Sequence, residues 1–355
     1  MTIAPTADSG ALRATAIAAA GKLQPTLRIF ALSAALLSFV YIVNAYLLFW
    51  QDWPGIAALL GSAGLFGFEA PNKSLGDSLI LAWLQAAAYI GTVAIIAFYV
   101  LRTRSKTLHT DAQWLSAIGA YIARAAFWSV LLVGLTDAAI SFLRVEGVLP
   151  DVVGKKLAQD LGRSSFRGQF VHIPLILVGM AISLFSRTVG FTWLALLVVV
   201  AELQIVILRF IFSYEQAFMA DLVRFWYAGL FLFASAYTLL HEGHVRVDVL
   251  YSGFGPRKRA WVNALGSVFL GGIMCWVVLT MGLANKFSVI SGPLQSFEVS
   301  QSGFGLYVKY MLAGYLLVFA VTMLIEFMAS LLSNAGVLLQ EKDAPASTAE
   351  EDAHS

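Results

Sequence analysis

Ile29-FALSAALLSFVYIVNAYLLF-Trp50 runs for 22 residues without one charged side chain. A helix crosses the hydrocarbon layer of a bilayer, roughly 30 Å thick, with about 20 apolar residues. Within lipid a backbone must satisfy its own polar groups, which leaves helices and closed barrels as the spanning structures. The run is too long for the apolar core of a signal peptide, and no small-residue cleavage site follows it. It therefore reads as an uncleaved first span. Working outward, seven further runs of the same kind follow: Ser78 to Leu101, Trp114 to Leu143, Phe170 to Phe185, Phe191 to Phe212, Leu222 to Leu240, Trp261 to Leu283 and Leu306 to Leu331. The fourth is the shortest. Arg167 and Arg187 bracket it, Pro174 interrupts its first turns, and a hairpin that dips in and returns is the alternative there. Composition agrees with the runs. Of 355 residues 59% are hydrophobic and 12% charged, about half the charge of an ordinary soluble domain, and the mean hydropathy is +0.78. The expected fold class is all-α, a polytopic integral membrane protein of about eight transmembrane helices.

Lys and Arg in the connections are retained on the cytoplasmic side. An inner N-terminus places Arg13, Lys22 and Arg28 in the cytoplasm, with Arg102, Arg104 and Lys106 after the second span, Arg187 after the fourth, and Arg246 and Arg257-Lys-Arg259 after the sixth. Both termini are then cytoplasmic. One connection opposes this orientation: Arg144, Lys155, Lys156, Arg163 and Arg167 all fall on the outer side. Its centre, Asp151 to Leu161, reads as a short surface helix with Val153, Leu157 and Leu161 facing the lipid. The single cysteine, Cys275, excludes an intramolecular disulfide framework and any cysteine cluster for a metal.

Charges at membrane depth are costly and mark functional candidates. Glu202 lies near the middle of the fifth run and Arg209 seven residues on, about 10 Å along the axis and too far for a direct pair. Glu215 follows in the turn. Asp221 and Arg224, three apart, meet on one helix face. Snorkelling of Arg209, Asp221 and Arg224 to the interface is the plainer reading; for Glu202 it is a protonated carboxyl between packed helices. Arg124 and Asp137 in the third run are too far apart to pair with each other. Between the sixth and seventh runs stands His241-Glu-Gly-His-Val-Arg-Val-Asp248. This stretch is either a docking edge of alternating valines beside His244, Arg246 and Asp248 or a solvated basic loop. Its histidines are three apart, not the four of the zinc-protease helix. Glu298-Val-Ser300 suits either a partner contact or a helix cap, Glu326 an interfacial position, and Gly266, Gly271 and Gly272 a close helix approach. Among the five histidines only His172 lies in a run, which disfavours haem. No catalytic constellation, metal site, cofactor motif or nucleic-acid motif is present.

Arg209-Phe-Ile-Phe212, Asp221-Leu-Val-Arg-Phe225, His244-Val-Arg-Val-Asp-Val-Leu-Tyr251 and Glu298-Val-Ser300, in that order and spacing, resemble the small, Q-type permease subunit of the tripartite ATP-independent periplasmic (TRAP) transporters. The resemblance covers roughly Gly190 to Leu332. It implies a division into a cytoplasmic tail (1–28), an additional membrane region of about four helices (29–189), the family's four-helix unit (190–332) and a disordered acidic tail (333–355). It further implies a non-enzymatic scaffold in a bacterial inner membrane. Its partners would be membrane lipid, a large permease subunit and a periplasmic substrate-binding protein, and its system would take up an organic acid or similar solute, commonly with sodium. Arg209, Asp221 and Arg224 would position helices at the outer interface, and His244, Arg246 and Asp248 would brace the cytoplasmic loop. The rival reading is a self-sufficient carrier or channel whose path is lined by Glu202 and Arg209.

Overall fold

The computed structural model describes residues 8–65, 76–186, 191–214, 216–240, 251–299 and 305–341. Every regular element among them is a helix, and eight are long and apolar enough to cross a membrane. In chain order we name α1 (Asp8–Trp50), α2 (Gly55–Ser62), α3 (Leu79–Arg102), α4 (Leu108–Val145), α5 (Leu149–Val153), α6 (Lys155–Leu161), α7 (Ser164–Phe185), α8 (Phe191–Phe212), α9 (Ala217–Leu240), α10 (Pro256–Gly282), α11 (Ser291–Ser296) and α12 (Lys309–Leu338). The eight spans lie on α1, α3, α4, α7, α8, α9, α10 and α12.

The last span is the hub. Of its most apolar stretch 61% is buried, against 11% for α8, because α12 packs against α4, α9, α10, α11 and α1 while α8 leans chiefly on α9. Two apolar cores stack along this axis. One joins Ala31 and Leu32 of α1, Val100 of α3, Leu115 of α4 and Leu279 of α10 to Leu324 and Leu332 of α12. The other joins Phe127 and Val133 of α4, Leu194 of α8, and Phe225 and Phe233 of α9 to Leu306 and Tyr315. At 38 residues α4 is about 57 Å long, enough to serve both cores. Its start is fixed by the Thr107 hydroxyl, which accepts the Thr110 N–H at 3.2 Å, and by the Glu341 carboxylate, which accepts the Leu108 N–H at 2.9 Å. An acid at a helix N-terminus meets the positive end of its dipole.

Several boundaries differ from the sequence reading. The helix of the fourth span begins at Ser164 and is continuous to Phe185, so the hairpin alternative falls. Pro174, which has no N–H to donate, stands one residue after a π-helical turn, Gly168–His172, that admits the missing bond. A Cβ on Gly168 would lie 2.2 Å from the Phe297 ring, so this turn also sits where another segment presses close. The same pairing recurs in α10, where the π turn Ser267–Gly272 brings Gly271 against Phe327, the close approach expected of that glycine. The surface helix expected over Asp151 to Leu161 is two helices broken at Gly154, which has φ +84°; Leu161 is buried but Leu157 is exposed. Neither tail begins where expected. Arg28 is buried against Asp111 inside α1 and α4, and α12 continues past residue 333 to Leu338, with Glu341 bound at the start of α4.

Candidate functional site

Asp137 lies on α4, eight residues before its end, and Arg167 and His172 lie on the first turns of α7. All three side chains are fully buried. Asp137 Oδ1 accepts from Arg167 Nη1 at 2.7 Å and meets His172 Nε2 at 3.2 Å, while its Oδ2 accepts the backbone N–H of Tyr307 at 2.8 Å. His172 Nδ1 is 2.8 Å from the Tyr310 hydroxyl. A neutral imidazole satisfies both neighbours, donating from Nε2 to the carboxylate and accepting from the phenol at Nδ1. Arg167 also donates to Ser141 Oγ and, through Nε, to the Leu161 carbonyl. Its guanidinium carbon lies 4.3 Å from the centre of the Tyr307 ring and that of Arg144 lies 4.5 Å from it. Arg144 reaches the Gly305 carbonyl at 3.1 Å and the Tyr307 hydroxyl.

The acids singled out from the sequence converge on the same segment. Asp221 Oδ2 accepts the Leu306 N–H at 3.3 Å. The Glu298 carbonyl accepts the Tyr310 N–H at 3.0 Å, and its carboxylate holds Lys309 at 2.5 Å. Residues 305–310 therefore enter α12 tied to α4, α7 and α9 and to the end of α11. Nearby, outside the spans, the Tyr214 hydroxyl donates to Glu146, and that bond to a carboxylate raises the phenol above its ordinary range. The arrangement is closed to solvent, with Arg167 Nη2 buried without a hydrogen-bond partner among the described residues, and it is suited to holding helices in register.

The other candidates separate from this cluster. Arg224 lies 3.5 Å from Asp221, as the three-residue spacing predicts, but is 71% exposed. Glu202 and Arg209 are exposed on α8, and so are Leu203, Val206 and Phe210 beside them. The Glu202 carboxyl is thus not packed between helices of this chain. Glu326, expected at an interface, is buried on α12. His244, Arg246, Asp248, Ser300 and Glu215 lie outside the described residues.

Sequence reasoning missed Arg167, His172, Tyr307 and Tyr310, and saw Asp137 without its partner. The available signal was chemical. An aspartate at membrane depth needs a donor, and His172, the one histidine inside the apolar runs of the sequence, with an arginine five residues before it, supplied two.

No curated protein and no solved structure matches the chain. Residues 196–335 match the family model described as tripartite ATP-independent periplasmic transporters, DctQ component. The match takes in α9, α10, α11 and most of α8 and α12. It carries the surface of Glu202 and Arg209 and the Asp221 and Glu298 ties, while Asp137, Arg167 and His172 precede it. Over residues 196–335 the chain is thus similar to the DctQ component of the TRAP transporters, a family of transporter membrane subunits and not of enzymes.

Proposed function

We propose that this chain is the fixed scaffold of a TRAP transporter in a bacterial inner membrane, with both termini cytoplasmic. The face of α8 that carries Glu202 and Arg209 mates with the large permease subunit. The end that holds Arg224 and Glu298 helps to receive the periplasmic substrate-binding protein, and the complete system takes up an organic acid or similar small solute with a coupling ion such as sodium. One observation supports this reading above the others: a carboxyl and a guanidinium stand on the outward surface of a membrane helix that the rest of the chain barely covers. Charged groups in lipid are costly unless a partner receives them. The same observation weighs against a self-sufficient carrier, since residues lining an internal path would face inward. In this orientation one cation-bearing connection falls on the outer side. Arg167 is fully buried and paired, Arg163 is paired with Asp160, and Arg144 is engaged with Tyr307. Lys155, Lys156 and Arg163, the last 65% exposed, are the exposed cations in that connection.

The test is coexpression with a large permease subunit of a TRAP transporter, followed by affinity purification and reconstitution in proteoliposomes. Copurification, with uptake only when the large subunit and binding protein are both present, is the expected outcome. Solute flux in vesicles that hold this polypeptide alone would refute the scaffold reading.

A further inference from the structure

Arg124 lies within α4, a helix long and apolar enough to span the membrane, yet it makes no hydrogen bond or ion pair among the described residues. Its Nε is buried without a partner, and one turn on the indole Nε1 of Trp128 is buried in the same condition. Residues four apart share a helix face. Guanidinium and indole are donors only, so two groups that need an acceptor stand together in a medium where unmet donors and charges are costly. Arg124 precedes the segment that matches the DctQ model, and the scaffold reading makes no use of it.

The face they share is turned away from the packed interior. Ala117, Leu135 and Phe142 stand seven before, eleven after and eighteen after Arg124, spacings that return to the same side of a helix with 3.6 residues per turn. All three are exposed. The neighbours of α4, which are α7, α9 and α12, approach on other sides: Ser129 lies against Gly179, Gly134 against Trp226 and Gly119 against Ile325. The stripe therefore faces lipid and lines no internal path. Arg124 is half-buried, and its terminal nitrogens stay accessible.

Depth identifies the acceptor. The Tyr121 hydroxyl donates to the Met180 carbonyl at 3.3 Å, and the Phe127 and Phe233 rings are 5.7 Å apart. Met180 is five residues from the end of α7 and Phe233 seven from the end of α9, about 8 and 10 Å. In the other direction Arg144 is twenty residues on, about 30 Å along the axis and thus one hydrocarbon thickness away. Arg124 consequently sits where one leaflet carries its headgroups. The acceptors at that level are lipid phosphates, with the glycerol ester carbonyls just below them. Trp128 is about 6 Å deeper than Arg124 along α4, which is the same order.

We propose that this face of α4 holds a single glycerophospholipid, its phosphodiester on the Arg124 guanidinium and an ester carbonyl on the Trp128 indole N–H.

The full-length chain, purified in mild detergent and stripped of lipid, is titrated with phosphatidylglycerol; native mass spectrometry reads bound lipid and melting curves read stability. The expected result is one retained molecule and a raised melting temperature. Without lipid, Arg124→Gln should melt with the parent, since no partner is lost. With lipid it should bind roughly ten- to a hundredfold more weakly, the loss of a hydrogen bond to a charged group, and show no rise in melting temperature. Trp128→Phe keeps a ring in place and should weaken retention about three- to tenfold. Arg102→Gln, at an exposed cation ending α3, should bind as the parent does. Equal retention by the parent and both α4 variants would overturn the proposal, as would an equal loss in Arg102→Gln, which marks unspecific attraction. A lipid-free Arg124→Gln melting far below the parent would overturn it by revealing a partner within the chain. So would a variant that keeps its lipid but no longer copurifies with the large permease subunit, since the acceptor would then be a protein carboxylate.

Discussion

Replacing Asp137 by alanine takes the acceptor from Arg167 Nη1, His172 Nε2 and the Tyr307 N–H at once. Arg167 is left at 0% exposure with its charge uncompensated; breaking a buried pair in this way costs about 3–5 kcal/mol. The unmet Tyr307 N–H adds about 1–3 kcal/mol. The sum is a large share of a typical stability of about 5–15 kcal/mol, so Asp137→Ala should be marginally folded. Arg167→Met on top of it removes the stranded charge and keeps much of the packing volume. If the two groups are coupled as the geometry indicates, the double variant is more stable than the sum of the single losses by about 2–3 kcal/mol. The assay is reversible unfolding in mixed detergent micelles for the four members of the cycle. Hydrogen exchange over residues 305–310 reports the Tyr307 tie directly and should accelerate in every variant that lacks Asp137. Additivity within about 0.5 kcal/mol, with unchanged exchange in that segment, would refute the account of the cluster as a clamp on the entry to α12.

Glu202→Leu should leave the stability of the isolated chain unchanged, because the side chain is exposed on α8, yet reduce copurification with the large permease subunit; equal recovery of the complex would remove this face from the interface. Arg224→Ala should cost less than about 0.5 kcal/mol, since its pair with Asp221 is open to solvent. Asp221→Ala should cost about 1–2 kcal/mol through the lost Leu306 N–H bond, and the two melting curves decide the order. A fragment beginning at Phe191 loses α4, and with it the packing over Phe225, Trp226 and Phe233 and the acceptor for Tyr307. It should aggregate or bind the large subunit poorly, and a monodisperse fragment with residues 305–310 still protected from exchange would contradict this.

The eight spans were legible because lipid sets a length and an apolarity that each helix must meet by itself, a condition local to the sequence. Phe191 to Phe212 was read to both ends and Ile29 to Trp50 to its C-terminal end for this reason. The charged cluster was not legible because its partners are joined only by packing. Asp137 and Arg167 are 30 residues apart, and Asp137 and Tyr307 are 170 apart. No periodicity reports such distances. Arg167 was assigned to the outer connection because the apolar run starts only at Phe170, and a π turn that absorbs a proline leaves no mark in hydropathy. Asp221 and Glu298, by contrast, were singled out as charges at the ends of the apolar runs, though their targets, Leu306 and Lys309, were not.

The misreading of Arg167 bears on how cations orient a membrane chain. The rule rests on the cost of carrying a hydrated cation across the bilayer during insertion. It therefore concerns charge as the inserting segment presents it, before tertiary partners exist. Arg167 and Arg28 are both buried in ion pairs in the folded chain, yet they need not have weighed alike when the helices entered. Arg28 begins a long apolar run, with Lys22 and Arg13 before it, and acts with them as one basic flank. Arg167 enters with Asp160 and Asp151 in the preceding stretch and joins α7 five residues before His172. Its acceptor, Asp137, lies on the preceding span and is already made when Arg167 emerges. A hairpin of α4 and α7 that inserts as a pair can carry both charges together as one neutral unit. In the proposed orientation the Asp137–Arg167 pair would ease the passage of an arginine to the outer side, and in the folded chain it fixes the segment that leads into α12.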